Sequence, residues 1–600
     1  MIMGDQLRKD MDSAYQWKPE DILGGGDDAW EKLFEELNGR ADELSAYCGK
    51  LGDADAALSL LKLDSELSAK LEQLYCYAHM RRDEDSANAK YQGFADRAMN
   101  LIVSYTAAFA YVQPELSALP KARLEQYIAD SRFADYDCFL KRILQQKKHI
   151  LSEKEERLLA QAGEVTGSFQ QIFGMINNVD LPFPTVRDEN GNKVKLTHAT
   201  YSVFLQKKDQ AVRKRAFTAY YAAFESLMNT ITATYASSVK KDVFLARARG
   251  FDSCLEKALF YEEVSPKVYR NLLSSVNKGT KYLHRYMSLR KKLSGLSKLH
   301  MYDMHFPLFE NEGMELDFEE AFALVKEGLK PLGEDYAELL QRSKDEQWMD
   351  VYENRGKRSG AYSTGCYNAP HPYVLLNHEK TTHGIFTIAH ELGHAMHTYY
   401  SNRTQPYAKA DYTIFVAEVA STVNEVLLLK HILSKTQNAE LKKFLLSYYL
   451  DMFRTTLFRQ TQFAEFEAVA HEMAERGEPL TEQALSQAYF DLNKKYYGRS
   501  CTYDDQIRYE WARIPHFYTS FYVYKYATGI TSAVNIAHAI LTEGQPAVEA
   551  YKRFLSSGGS DDPVSLLKIA GVDLMQKTPF DVAMTEFKDT LDQLTALVNA

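Results

Sequence analysis

Ile385-Phe386-Thr387-Ile388-Ala389-His390-Glu391-Leu392-Gly393-His394-Ala395-Met396-His397-Thr398-Tyr399-Tyr400 is the stretch on which the reading of the whole chain turns. Its apolar residues recur at helical spacing, so a helix is expected here, not a loop. At about 100° per residue, positions four apart differ by only about 40° around the axis, and His390 and His394 therefore project from one face. Two neutral imidazoles so placed suit a zinc ion. Glu391 flanks that face and can reach a water on the metal without occupying a coordination position. With 16 histidines in 600 positions and about 7% glutamate, a random chain contains such an HExxH string roughly 0.03 times, so coincidence is the weaker reading. His397, three residues after His394, reads as a satisfied helix histidine, and His383, seven before His390, as structural.

A catalytic zinc site needs a third protein ligand and one open position. The next apolar stretch, Tyr412 to Glu425, embeds Glu418 among Phe415, Val416, Ala417, Val419 and Ala420. An unpaired carboxylate there is costly, so a cation, an ion pair or a polar stripe must accompany it. Glu425 lies seven residues on and shares the same face. Spacing alone leaves two orders open: Glu418 as ligand with Glu425 supporting it, or the reverse.

Around this centre lies a chain of 600 residues, 45% hydrophobic and 25% charged, enough for an extensive core and unlike a peptide hormone or a disordered tail. Length alone suggests about four domains. With 71 basic and 81 acidic residues the net charge is -10, and no long basic tract exists, which argues against a nucleic-acid partner. The six cysteines, Cys48, Cys76, Cys138, Cys254, Cys366 and Cys501, are too scattered for a disulfide framework or a thiolate zinc site, so a reducing compartment is expected. Met1 to Lys18 carries Asp5, Asp10 and Asp12 and lacks the apolar stretch of a secretion signal. Leu101 to Val112 is too short to cross a bilayer. A soluble, cytoplasmic protein with no membrane partner is the expectation.

Few prolines and glycines interrupt the chain, and no linker-like segment appears. Asp53 to Tyr77, Leu116 to Ile128, Ser152 to Ile176 and Asp209 to Leu245 place apolar residues at helical spacing, so a mainly α chain is expected. Two places depart from this. Thr185 to Leu196, with Asn190-Gly191 at its centre, reads as a hairpin. Gly360 to Asn377 reads as strand, turn and strand, just ahead of the histidine motif.

HELGH, followed after 24 positions by the glutamate of FVAEVAST, resembles the zincin-type metallopeptidases related to thimet oligopeptidase, and in particular oligoendopeptidase F. KRSGAYSTGCYN before the motif, HTYYS after it and RIPHFYTSFYVYKYATG near the carboxyl end are similar to the same family, and the likeness covers nearly the whole chain. It implies an N-terminal helical region over 1–200 and a catalytic region over 201–600. The fold it implies is mainly α and two-lobed, with a deep central channel that admits short peptides and a small β-sheet near the active site. It implies one zinc ion per chain, held by His390, His394 and Glu418, with Glu391 as general base.

The resemblance further implies that one histidine and two tyrosines of the tail stand over the substrate carbonyl, as donors to the oxyanion. His516 and Tyr524 are the best matches. Seven positions before Tyr524 stands Phe517, which departs from the pattern, so Tyr518 is taken as the second tyrosine, with Tyr522 behind it. Taken blind, each is more readily a core aromatic of a helix. Gly360, Ala361 and Tyr362 are expected to line the substrate, the outer strand of their hairpin pairing with an extended peptide. The activity implied is zinc-dependent endopeptidase cleavage of short oligopeptides by a metal-activated water. A metallo-exopeptidase of the carboxypeptidase or dipeptidase kind is the alternative, and a non-catalytic peptide-binding scaffold the remote one, since the catalytic set is complete.

Overall fold

The computed structural model describes residues 6–310 and 314–600. The first five residues of the polar Met1–Lys18 segment, Asp5 among them, lie outside these. Helices dominate, as the periodicity implied, and the strands among the described residues form three small sheets. Two compact units divide the chain, neither continuous in sequence: Met1–Lys148 with Gly313–Lys435 and Ser532–Val572, and His149–Glu312 with Thr436–Thr531 and Asp573–Ala600. This spatial division differs from the linear one at 200/201.

In the first unit, the helix Ala54–Glu84 starts where Asp53 accepts a hydrogen bond from the Ala56 amide, which satisfies one of the orphan donors of a helix start. It packs with Ala89–Phe109 around Trp30, whose ring stacks on Phe94 at 3.9 Å and whose indole N–H donates to the Leu74 carbonyl at 2.9 Å. Leu60, Leu67, Leu74, Tyr77 and Tyr373 extend this core. Each such side chain contributes about 1.5–3 kcal/mol by burial.

The expected helix Leu116 to Ile128 is instead two, Val112–Ala118 and Lys121–Ala129. Pro120 has no amide to donate and pushes Leu119 into extended backbone, φ -60° and ψ 148°. In the second unit, Asp209 to Leu245 also divides, into Gln210–Ser226 and Met228–Ala248, at Leu227 with φ -114° and ψ 12°. Ser152 and Glu155 form a reciprocal cap at the start of Glu153–Met175.

The strands are β1 (Thr185–Arg187), β2 (Lys193–Lys195), β3 (Leu299–His300), β4 (Met349–Asp350), β5 (Tyr362–Thr364), β6 (Tyr373–Leu375) and β7 (Cys501–Thr502). β1 and β2 make the expected hairpin, with Gly191 at φ 84° in its turn. β3 runs parallel to β7. β5 and β6 pair antiparallel, Tyr362 opposite Leu375 and Thr364 opposite Tyr373, while β4 runs parallel on the other side of β6. The order β4-β6-β5 leaves β5 at an edge.

Candidate metal centre

Thr381 begins the motif helix, Thr382–Thr404, by accepting a hydrogen bond from the Gly384 amide at 3.0 Å. Ile385, Ala389, Leu392, Ala395 and Met396 are fully buried, and this apolar set turns the face with His390 and His394 outward, where both are half-buried. The second element is Ile414–Lys435, the acid helix, with Val416, Val419, Ala420 and Val423 inaccessible.

Gly393 lets the two helices meet. A Cβ placed on it comes within 2.6 Å of the Ser421 Cα and 2.7 Å of the Ala420 carbonyl oxygen, both main-chain atoms of the acid helix that cannot rotate away. Nearby, the buried Asn424 amide donates to the Ala389 carbonyl at 3.0 Å and fixes the register. Gly393→Ala therefore forces the helices apart. The expected result is a loss of about 1–3 kcal/mol in stability, measured by denaturant unfolding, together with weaker metal retention.

This packing brings His390, His394 and Glu418 together and no other such group of three or more acidic, histidine or cysteine residues among the described residues. Glu418 Oε2 lies 3.4 Å from His390 Nε2 and 3.4 Å from His394 Nε2, and the two Nε2 atoms are 3.2 Å apart. Four-coordinate zinc with bonds of about 2.0–2.1 Å needs donor atoms roughly 3.3–3.4 Å from one another, so these three side chains fit that ion. Glu425 stands on the far side of the same imidazole, against His390 Nδ1. Ser421 donates to Glu418 Oε2 at 3.1 Å and steadies it.

Electrostatics agree with a site that wants positive charge. Burial opposes a charged His390, but its contacts with Glu418 and Glu425 outweigh that and raise its pKa to about 10. His390, then His394, hold Glu418 well below the usual carboxylate range. Glu391 is buried, which raises its pKa, while the two histidines pull against the rise. His397 is 1% exposed and stacked on Tyr412 at 3.7 Å, a core residue, but its Nδ1 has no hydrogen-bond partner among the described residues, so it is not the satisfied histidine expected. His383 is exposed.

Comparison with known proteins bears on what such a centre serves. Residues 203–586 match the model of peptidase family M3, and residues 115–183 match that of oligopeptidase F. The chain belongs to peptidase family M3. Within M3 it is 42% identical over 593 residues to the oligopeptidase PepF of Bacillus subtilis, covering 98% of this chain and 88% of that one. It is 37% identical to the group B oligopeptidase PepB of Streptococcus agalactiae, covering 98% of each. The crystal structure of oligoendopeptidase-F from Enterococcus faecium superposes with a TM-score of 0.73 at 34% identity, over 96% of this chain and 99% of that one. A peptidase from Chlamydophila abortus gives 0.94 at 34% identity, over 99% and 100%. This M3 chain is a metallo-oligopeptidase of the oligoendopeptidase F group.

The tail differs from expectation. Pro515 to Ala527 is not one helix but a 3-10 turn, Pro515–Tyr518, then a break, then a helix beginning at Tyr524. Tyr518 is buried against Phe173 at 4.4 Å, and Tyr524 is fully buried with its phenol donating to Glu262 Oε2 at 2.9 Å. The tyrosines grouped with His516 are Tyr522, stacked on it at 5.8 Å, and Tyr526, whose hydroxyl is 3.4 Å from its Nε2. Helical spacing could not single these out, because the break resets the periodicity.

In the hairpin, Tyr362 donates its hydroxyl to Asp83 at 3.1 Å, and the Gly360 carbonyl accepts from Asn377 at 2.7 Å. Ala361 is half-buried and Gly360 exposed. No helix among the described residues is long and apolar enough to cross a membrane.

Proposed function

We propose that this chain is a zinc-dependent endopeptidase that hydrolyses internal bonds of short oligopeptides, with His390, His394 and Glu418 as metal ligands and Glu391 as general base. The observation that carries the reading is the set of three donor atoms 3.2–3.4 Å apart on two helices locked by Gly393 and Asn424. Glu425 holds His390 by its other ring nitrogen, which fixes the tautomer that presents Nε2.

Bound zinc supplies Lewis acidity toward the scissile carbonyl and makes water acidic enough to attack at neutral pH. Glu391 takes the proton of the attacking water and passes it to the nitrogen of the leaving peptide. Its position one residue after His390 sets it about 100° around the helix, flanking the ligand face without entering the ligand set. No covalent enzyme intermediate is needed.

For the oxyanion, the proposed donors come from the tail. His516 leads them, with Tyr522 and Tyr526 as its partners. Tyr518 and Tyr524, implied by resemblance as donors, stand outside this donor group in the proposal, Tyr518 stacking on Phe173 and the Tyr524 phenol donating to Glu262. Gly360, Ala361 and Tyr362 provide main-chain pairing to an extended peptide at the β5 edge, and this suits a broad range of side chains. The Tyr362 side chain, held by Asp83, anchors the strand. The six free cysteines fit a cytoplasmic location.

Mass spectrometry of products from peptides graded in length and blocked at both ends, with and without a chelator, tests the proposal. Internal cleavage of blocked short peptides, abolished by chelation and restored by zinc, is the expected result. Cleavage that requires a free terminus would make the enzyme an exopeptidase.

A further inference from the structure

Phe521, in the break of the tail, has φ 58°, a left-handed conformation that a bulky L-residue adopts only when its surroundings impose it. What imposes it comes from two other elements. The Phe521 amide donates to Glu467 Oε1 at 2.9 Å, and its ring packs on His471 at 4.6 Å and Tyr269 at 5.8 Å. One residue earlier, the Ser520 hydroxyl donates to Asp242 Oδ2 at 2.6 Å. The same carboxylate oxygen lies 3.4 Å from His471 Nε2, and His471 Nδ1 lies 2.8 Å from the Glu467 carbonyl.

Glu467 is unusual in its own right. It is 0% exposed on the helix Arg459–Glu475, and its second oxygen has no hydrogen-bond partner among the described residues. Burial pushes its pKa well above the usual carboxylate value. An apolar side chain would fill such a place at less cost in desolvation. Among the described residues, the hydrogen bond its carboxyl accepts comes from the amide of the strained residue.

The reversal at Phe521 turns the chain so that Tyr522 lies flat against His516 and Tyr526 brings its hydroxyl to the His516 ring. We infer that Glu467, assisted by Asp242 through Ser520, is a positioning residue that holds this strained turn and thereby sets the geometry of the His516, Tyr522 and Tyr526 group. The role rests on the reading that the tail group acts on substrate, so its test has one arm that does not depend on turnover.

That arm is hydrogen exchange of the full-length zinc enzyme, read at the Phe521 amide, in Glu467→Leu and Glu467→Gln. Loss of the acceptor in Glu467→Leu accelerates exchange by about tenfold or more, locally to 519–523, whereas Glu467→Gln keeps a carbonyl oxygen for the same amide and stays within about threefold of wild type. In the second arm, kcat of Glu467→Leu falls by about tenfold at constant KM and zinc content, and Glu467→Gln restores it. Should Glu467→Leu fail to fold, Ser520→Ala serves instead, with faster exchange at the same amide. Wild-type exchange in Glu467→Leu or Ser520→Ala, or equal losses in Leu and Gln variants, overturns the positioning role. Absence of peptidase activity in wild type with the exchange pattern intact overturns the proposed function and leaves the turn assignment standing.

Discussion

Glu391→Gln lowers kcat for a short peptide by about 10²–10⁴-fold, the range associated with loss of a general base, and leaves one zinc per chain. Glutamine keeps the shape of the side chain and its buried place on the motif helix, so neither helix packing nor the ligand set changes. What it loses is the ability to take a proton. Metal analysis beside steady-state kinetics separates the two effects. A variant that retains zinc and turns over within tenfold of wild type would remove Glu391 from proton transfer. A variant that loses zinc would place it among the ligands, contrary to the position of Glu418 against both imidazoles.

Glu418→Ala gives the other large effect, and its value lies in comparison with Glu425→Gln. Both carboxylates touch His390, Glu418 at Nε2 and Glu425 at Nδ1. Only Glu418 also faces His394, so only its loss opens the three-donor set. Outer partners of metal-bound histidines cost roughly 10–100-fold in metal affinity when removed. Glu425→Gln is expected inside that range, and Glu418→Ala beyond it, with no activity at stoichiometric zinc. Competition with a chromogenic chelator measures both affinities. Equal losses, or a greater loss in Glu425→Gln, would reverse the two roles.

That pair shows where the sequence stopped being informative. Glu418 and Glu425 are seven residues apart, about two helical turns, and so lie on one face whichever is the ligand. Which side of the His390 ring each meets depends on how the acid helix slides along the motif helix, and that register is set by Gly393 against Ser421 and by Asn424 on Ala389. The motif helix itself was legible because its apolar stripe and its two histidines occupy complementary faces. The hairpin at Asn190-Gly191 was legible because its turn needs a residue suited to positive φ. Pro120 broke an expected helix for a reason visible in the residue itself. Phe521 did not announce its break: Thr519 to Lys525 contains neither glycine nor proline, and the strained φ is held by Glu467, fifty-four positions earlier. The discontinuous units escaped as well, since the chain passes between them in segments whose composition is ordinary.

Anomalous diffraction at the zinc edge, from crystals of the protein loaded with one equivalent of zinc, tests the central claim most directly. A single peak within bonding distance of His390 Nε2, His394 Nε2 and Glu418 Oε2, with Glu425 in contact only with His390 Nδ1, is the predicted result. A peak elsewhere in the chain, or one bound by Glu425 with Glu418 turned away, would contradict it.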